Sequence, residues 1–291
     1  MPDRTPTVSD YFSLVKISHT IFSLPFALIG FSIAINENKQ KLDLRLLILI
    51  LLCIFFARNA AMGFNRFVDR KFDKNNPRTA LREIPKDIIR PFSALMFVLL
   101  NALLFMGTAF LINMLCFFLS PIALLVVLGY SFTKRFTFLS HLILGIGLAL
   151  APVGAYLAVT ASFSLLPVLF SLVVIFWVAG FDIIYSLQDL EFDKNEQLKS
   201  VPESFGKRAA LIVSSILHLI AAGFVFFAGI YGEFGLLYWV GASVFILILL
   251  YEHLIVKPHD LSKVNMAFAT MNGMASVIFA IFVIADLYFK S

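Results

Sequence analysis

Hydrophobic residues occur along this chain in long runs that are separated by short polar connections. We predict nine such runs, centred near residues 27, 54, 101, 122, 149, 175, 220, 245 and 279. Each is long enough to cross a bilayer as a helix of about 20 residues. None alternates apolar and polar positions as the strands of a membrane β-barrel do. The pattern therefore predicts an all-α polytopic membrane protein with about nine transmembrane helices.

Composition agrees with a membrane environment. The chain is 60% hydrophobic and 14% charged, with a mean hydropathy of +0.92. Soluble domains are roughly 45 to 50% apolar and 25% charged. The longest polar stretch covers only residues 65–90, and no cleavable signal pattern precedes the first run, so we expect residues 1–291 to form a single intramembrane domain. Cys53 and Cys116 both fall in apolar runs, where we expect no disulfide.

The distribution of positive charge predicts which side the loops face. If the N-terminus is cytoplasmic, most of the 23 lysines and arginines fall in cytoplasmic segments, as the positive-inside rule requires. We therefore expect a multi-pass protein of the cell inner (plasma) membrane. The net charge of +5 is explained by these loops near an anionic leaflet. No nucleic-acid partner is expected.

Two similar acidic stretches follow the second and sixth runs. They are NRFVDRKFDKNN from Asn65 and YSLQDLEFDKNE from Tyr185, and their FDKN segments lie 120 positions apart. If both helices continue through these stretches, each one places its acidic side chains on one face. The first face would carry Asn65, Asp69 and Asp73. The second would carry Asp182, Ser186, Asp189 and Asp193.

This arrangement of acids favours a divalent cation. Two carboxylates about 6 Å apart repel each other by roughly 3 kcal/mol at an effective dielectric constant near 20. Oxygen ligands without a His or Cys cluster suit Mg²⁺, which is usually bound by one or two carboxylates together with phosphate oxygens. Arginines and lysines surround both stretches, as a bound diphosphate would require.

These motifs resemble those of the UbiA superfamily of intramembrane prenyltransferases. NRFVDRKFD has the family form NxxxDxxxD, DIIYSLQDLEFD has that of the second acidic motif, and YSFTKR resembles the family's basic loop. The resemblance implies nine helices around a central cavity and two Mg²⁺ ions. It places one ion on Asn65, Asp69 and Asp73, and the other on Asp189 and Asp193.

The resemblance also implies roles in substrate binding. Asp182 would act nearer the acceptor, and Tyr130 would face the allylic cation. Lys134 and Arg135 would hold the diphosphate. Arg78 and Lys199 are further candidates for the same role.

The implied reaction is Mg²⁺-dependent transfer of a polyprenyl group from polyprenyl diphosphate to an aromatic acid, in ubiquinone or menaquinone biosynthesis. The chain is most similar to the 4-hydroxybenzoate polyprenyltransferase-like branch, but it reads LREIP where those enzymes tend to read QRPL. Both 4-hydroxybenzoate and a dihydroxynaphthoate therefore stay open as acceptors. The alternatives are a heme, chlorophyll-type or lipid acceptor, or an ion-coupled transporter. No obligate protein partner is inferred.

Arg58 is the one lysine or arginine inside an apolar run. A guanidinium at mid-bilayer costs about 2.5 to 3.5 kcal/mol unless it faces a polar cavity. We expect its partner to be a carboxylate, either that of the aromatic acid or that of Asp182. The first option makes Arg58 a substrate-binding residue.

Overall fold

The computed structural model describes residues 5–290, with the side chains of all but residues 17–19. Eleven α-helices lie in this part of the chain. They are α1 (Val8–Leu14), α2 (Leu24–Glu37), α3 (Leu44–Asn75), α4 (Pro91–Ile112), α5 (Met114–Thr133), α6 (Ser140–Thr160), α7 (Leu165–Ser186), α8 (Leu190–Asn195), α9 (Val201–Tyr231), α10 (Leu236–Ile255) and α11 (Asn272–Phe289). Extended pairing in the same residues is limited to one isolated bridge between Lys257 and Asp260. The all-α prediction is confirmed.

Nine helices within residues 5–290 are long and apolar enough to cross a membrane. Every one of them contains one of the nine predicted centres. Helices α1 and α8 are too short to cross a membrane. Two 3₁₀ helices, at Ile17–Phe22 and Leu187–Asp189, are wound more tightly than an α-helix. A π-helix at Met266–Met271 is wound more loosely.

Helix α7 is the central element of the bundle. It packs against α6 and α9, while α2 lies against α6 and α11. The largest core cluster forms here, around the fully buried Trp177, Phe26 and Phe279. A second group of contacts joins α3, α4 and α5, and α5 connects that group to α6.

Two glycines allow α6 to approach its neighbours closely. A Cβ atom on Gly145 would lie 2.4 Å from the carbonyl oxygen of Ile175 on α7, and one on Gly30 of α2 would lie 2.1 Å from the carbonyl oxygen of Pro152 on α6. Small residues permit such backbone contact in membranes, where apolar burial between helices supplies little driving force. The position of α6 matters for the site described next, because its first turn carries His141.

Candidate active site

The first acidic motif lies on an unbroken helix. Helix α3 continues to Asn75, so Asn65, Asp69 and Asp73 share one face, as predicted. Asn65 Nδ2 donates to Asp69 Oδ2 at 3.0 Å, which leaves the Asn65 amide oxygen available to a ligand. Asp73 is buried and accepts a hydrogen bond from Arg82 at 2.6 Å.

The loop after α3 folds back over this helix end and reaches the second motif. Thr79 Oγ1 donates to the backbone carbonyl of Asp73 at 3.1 Å, which holds the loop on α3. Asn76 Nδ2 then donates to Asp189 Oδ1 at 3.1 Å. Arg78 Nε donates to the same oxygen at 2.9 Å, and Arg78 Nη2 donates to Asp189 Oδ2, so the guanidinium holds the carboxylate with two parallel hydrogen bonds. The two acidic helix ends therefore meet.

Tyr185 completes the contact between the loop and α7. Its hydroxyl accepts from Arg78 Nη1 at 2.8 Å, and its ring stacks on Phe268 with 4.1 Å between centroids. Burial would lower the pKa of Arg78, but the hydrogen bonds and charge of Asp189, together with Tyr185, raise it above its ordinary value. Arg78 is thus held in its charged form between the Asp189 carboxylate and the Tyr185 side chain.

The second motif differs from the prediction of one continuous helix. Helix α7 ends at Ser186, a 3₁₀ turn covers Leu187–Asp189, and α8 begins at Leu190. A 3₁₀ turn has 3.0 residues instead of 3.6, so it rotates everything that follows relative to α7. Asp189 and Asp193 are buried on this new segment, whereas Asp182 remains on α7. The second motif therefore does not lie on one continuous helix, as the spacing argument assumed.

Asp182 has its own partner. Its Oδ2 lies 2.7 Å from Nδ1 of the buried His141 on α6. The same carboxylate is close enough to influence Tyr130 and Lys134 electrostatically. Asp182 thus belongs to the same site as the other acids, at a deeper level: it precedes Asp189 by about 10 Å along the helix axis.

The basic pair at the end of α5 faces the acids. Arg135 Nη2 lies 3.5 Å from Asp69 Oδ1 and donates to the carbonyl of Val68 at 3.1 Å. Lys134 immediately follows α5. Burial works against its charge, but the carboxylates of Asp193, Asp182, Asp189 and Asp69 together raise the pKa of Lys134 above its ordinary value. The site therefore interleaves cations with carboxylates, as the sequence predicted.

Lys199 takes part mainly through its backbone. Its amide donates to the carbonyl of Lys134 at 2.6 Å, while its ammonium lies 3.6 Å from Glu203. The ammonium is about half exposed. In this structure it is directed at Glu203.

Arg58 lacks the carboxylate partner that we expected within the protein. Its guanidinium donates to the backbone carbonyl of Lys16, and the buried Arg66 donates to that of Leu14 at 3.4 Å. Both carbonyls lie at or just after the C-terminus of α1, where helix carbonyls lack intrahelical partners. The predicted ion pair with Asp182 is wrong, because Asp182 pairs with His141.

The oxygen donors of the site fit a hard divalent cation. Asp73 Oδ2 and Asp193 Oδ2 are buried and have no hydrogen-bond partner among the described residues, and such buried acceptors are costly unless a ligand satisfies them. In residues 5–290, no three His, Cys, Asp or Glu side chains converge closely enough to hold a metal without other ligands. A donor set of this kind suits Mg²⁺, which takes its remaining oxygens from phosphate and water.

Several residues of the site were not identified from the sequence. They are Asn76, Arg82 and Tyr185 around the acidic helix ends, and His141 beside Asp182. Asn76, Arg82 and Tyr185 lie within a few residues of a motif, which is a usable signal. His141 lies 41 positions from Asp182, and its only sequence signal is that it is a polar residue in an apolar run.

Comparison with known proteins gives matches over most of the chain. The model of the UbiA prenyltransferase family matches residues 23–276. The 4-hydroxybenzoate octaprenyltransferase of Cupriavidus pinatubonensis is 28% identical over 235 residues, or 78% of this chain and 81% of that protein. The enzyme of the same name from Nitrosomonas eutropha is 29% identical over 240 residues, or 82% and 83%.

Solved structures show the same fold. A UbiA homolog from Aeropyrum pernix superimposes with a TM-score of 0.79 and 28% identity, covering 94% of this chain and 98% of that one. A UbiA homolog from Archaeoglobus fulgidus, solved with DMAPP and Mg²⁺, gives a TM-score of 0.75 at 22% identity, covering 96% and 99%. The predicted nine-helix architecture is therefore confirmed.

Proposed function

The chain belongs to the UbiA prenyltransferase family, and from this premise we propose that it transfers a polyprenyl group from polyprenyl diphosphate to an aromatic acid with Mg²⁺ as cofactor. The contact that carries the proposal is the bridge between the two acidic helix ends. Asn76 and Arg78 bind Asp189, while Arg82 of the same loop binds Asp73. The same loop thus contacts both motifs, and we propose that one diphosphate binds between them.

The similar enzymes support the acceptor class. Two relatives that align over about four-fifths of their length are 4-hydroxybenzoate octaprenyltransferases. An acceptor of this kind carries a carboxylate, for which Arg58 offers a guanidinium bound so far only to a backbone carbonyl. We assign Arg58 to the acceptor. Membership of a prenyltransferase family argues against the transporter alternative.

The metal assignment rests on the donors of the site. Asn65, Asp69 and Asp73 would hold one Mg²⁺, and Asp189 and Asp193 the other. Bound Mg²⁺ supplies positive charge that stabilises the departing diphosphate. The binding of an allylic diphosphate together with Mg²⁺ in the Archaeoglobus fulgidus homolog supports the same pair of ligands here.

The basic side chains bind and orient the diphosphate. Lys134 and Arg135 lie beside the acids, and Arg78 holds a fork geometry that matches phosphate as well as carboxylate. To reach a phosphate, Arg78 would have to leave Asp189 and Lys199 would have to leave Glu203, so we rank both after Lys134 and Arg135.

The chemical step breaks the bond between C1 of the prenyl chain and the diphosphate oxygen, and the electron pair leaves with the diphosphate. An electron-rich ring carbon forms the new bond to C1, and the ring then loses a proton. We assign that proton to the Asp182 carboxylate, which lies deeper than Asp189. Tyr130 presents its π face to the developing allylic cation, an attraction of about 0.5 to 2 kcal/mol.

We also propose the cellular setting of the site. Positive charge in the loops places the acidic helix ends on the cytoplasmic face of the inner (plasma) membrane. Residues 1–291 then act as one intramembrane domain, of which the family model covers 23–276. A product made here would enter ubiquinone or menaquinone biosynthesis.

The test uses membranes that contain the wild-type protein, Mg²⁺ and a labelled polyprenyl diphosphate. Parallel reactions receive 4-hydroxybenzoate, a dihydroxynaphthoate, heme or a glycerol-based lipid alcohol. We expect label in one aromatic acid and its loss with EDTA. Label only in heme or the alcohol would overturn the acceptor class, and label in no acceptor would overturn the proposed function.

A further inference from the structure

His141 connects the deepest acid of the site to the start of α9. It is the second residue of α6, and its side chain is 1% exposed. Its two ring nitrogens have different partners. Nε2 lies 3.3 Å from the backbone nitrogen of Val201, and Nδ1 lies 2.7 Å from Asp182 Oδ2.

These two contacts determine which nitrogen carries the proton. The backbone N–H of Val201 is a donor, so Nε2 must accept and must have a lone pair. In a neutral imidazole the proton is then on Nδ1, which donates to Asp182. The heavy-atom geometry thus assigns a single tautomer to His141.

The segment that fixes this tautomer also fixes other parts of the site. We call residues 198–201 the strap. Its first amide, that of Leu198, donates to the carbonyl of Asp193 at 2.8 Å, and the amide of Lys199 donates to that of Lys134 at 2.6 Å. Its last amide, that of Val201, donates to His141. The strap therefore links a metal-binding acid, a diphosphate-binding lysine and His141.

The contact with His141 occupies one oxygen of Asp182. The other oxygen, Oδ1, takes no part in this contact, and the charge of the carboxylate acts on Tyr130 and Lys134. A hydrogen bond to one oxygen restricts the side-chain torsions of Asp182 and so limits the directions in which the other oxygen can point. The orientation of the Asp182 carboxylate is thus constrained by an imidazole on another helix.

From this geometry we propose that His141 is a positioning residue. It donates from Nδ1 to Asp182, and the strap holds it in the tautomer that can do so. The effect is to aim Asp182 Oδ1 at the aromatic acceptor. This proposal rests on the proposed function, because it assigns Asp182 to the acceptor side of the reaction.

Two substitutions separate the two contacts of His141. In His141→Asn the amide nitrogen occupies approximately the place of Nδ1, so a donor to Asp182 is kept while the acceptor for Val201 is lost. In His141→Gln the amide oxygen replaces Nε2, so the acceptor for Val201 is kept while the donor to Asp182 is lost. Both variants keep a polar amide of similar size in the same buried place.

We expect His141→Asn to keep kcat within about threefold and His141→Gln to lower kcat by about 10- to 100-fold, the usual cost of a misplaced catalytic group. The KM for polyprenyl diphosphate should stay within about twofold in both variants, since the metal and diphosphate ligands are intact. Melting temperatures in detergent would report any damage to the bundle.

A double-mutant cycle with Asp182→Ala tests whether His141 acts through Asp182. If it does, His141→Gln should cost less than about threefold in the Asp182→Ala background, because the interaction is already absent. Additive losses, or His141→Gln more active than His141→Asn, would overturn the positioning role and leave a purely structural one.

The same assay separates this inference from the proposed function. A wild-type protein that prenylates no aromatic acid would overturn both. A wild-type protein that does so, with the two His141 variants equally active or equally impaired, would overturn the positioning role alone.

Discussion

The clearest test of the bridge between the acidic helix ends is Arg78→Lys. Arg78 donates to both oxygens of Asp189 and to the hydroxyl of Tyr185. A lysine keeps the positive charge but offers a single ammonium, which cannot match the two oxygens of a carboxylate in the same plane. The change therefore removes the fork and retains the charge.

The size of the effect follows from these contacts. A hydrogen bond to a charged group contributes about 1.5 to 3 kcal/mol, and lysine loses two of the three contacts. Because the Arg78 side chain is 32% exposed, solvent screening reduces the loss to about 1 to 2 kcal/mol in total. That corresponds to a decrease of roughly 5- to 30-fold in kcat/KM for polyprenyl diphosphate.

The assay measures initial rates in detergent-solubilised or membrane-bound protein while the polyprenyl diphosphate concentration is varied. Arg90→Lys is the matched control, since Arg90 is an exposed arginine at the other end of the same polar connection. Arg78→Gln, which removes the charge as well, should be at least as impaired as Arg78→Lys. If Arg78→Lys keeps wild-type kcat/KM while Arg78→Gln loses it, charge alone matters and the reasoning from fork geometry is refuted.

Other substitutions test the metal site, the acceptor site and the helix packing. Asp193→Asn should lower kcat by at least about 100-fold, because it removes a charged ligand. Glu191 is an exposed acid on the same short helix, so the control Glu191→Gln should keep a kcat near that of the wild type. Equal losses in the two variants would contradict a specific role for Asp193. Arg58→Ala should raise the KM for the aromatic acid about tenfold, the loss of one charge-assisted hydrogen bond, and a change confined to the KM for polyprenyl diphosphate would place Arg58 elsewhere. Gly145→Ala should destabilise the protein by about 1 to 3 kcal/mol, because its Cβ would meet the Ile175 carbonyl on α7. Gly107→Ala, with open space around its Cβ, should not lower the melting temperature, because alanine favours the helix more than glycine does.

The helical spacing of the acidic residues predicted their shared face correctly where the helix is continuous. Asn65, Asp69 and Asp73 lie on one face because α3 has no interruption before Asn75. The assumption of an unbroken helix failed for the second motif, because the three residues Leu187–Asp189 form a 3₁₀ turn. Spacing arguments assume 3.6 residues per turn, and a short tightened turn changes the direction of every later side chain.

Partners that are far apart in the chain were the hardest to predict. Arg78 and Asp189 are separated by 111 positions, and His141 and Asp182 by 41. Asp182 was one of two carboxylates expected for Arg58, but within the protein the guanidinium binds the backbone carbonyl of Lys16. Every residue has such a carbonyl, so no side-chain pattern distinguishes this one.

The amino-acid sequence alone determined the membrane environment, the nine spans and the two acidic motifs, because each of these depends on residue type and local spacing along a single helix. Only the tertiary structure decided that Asp189 is bound by the loop of the first motif and that Asp182 pairs with His141. Those contacts depend on how the helices pack, which is set by close approaches such as that of Gly145 to Ile175. The distance between two helices is a property of the whole bundle, and no single segment encodes it.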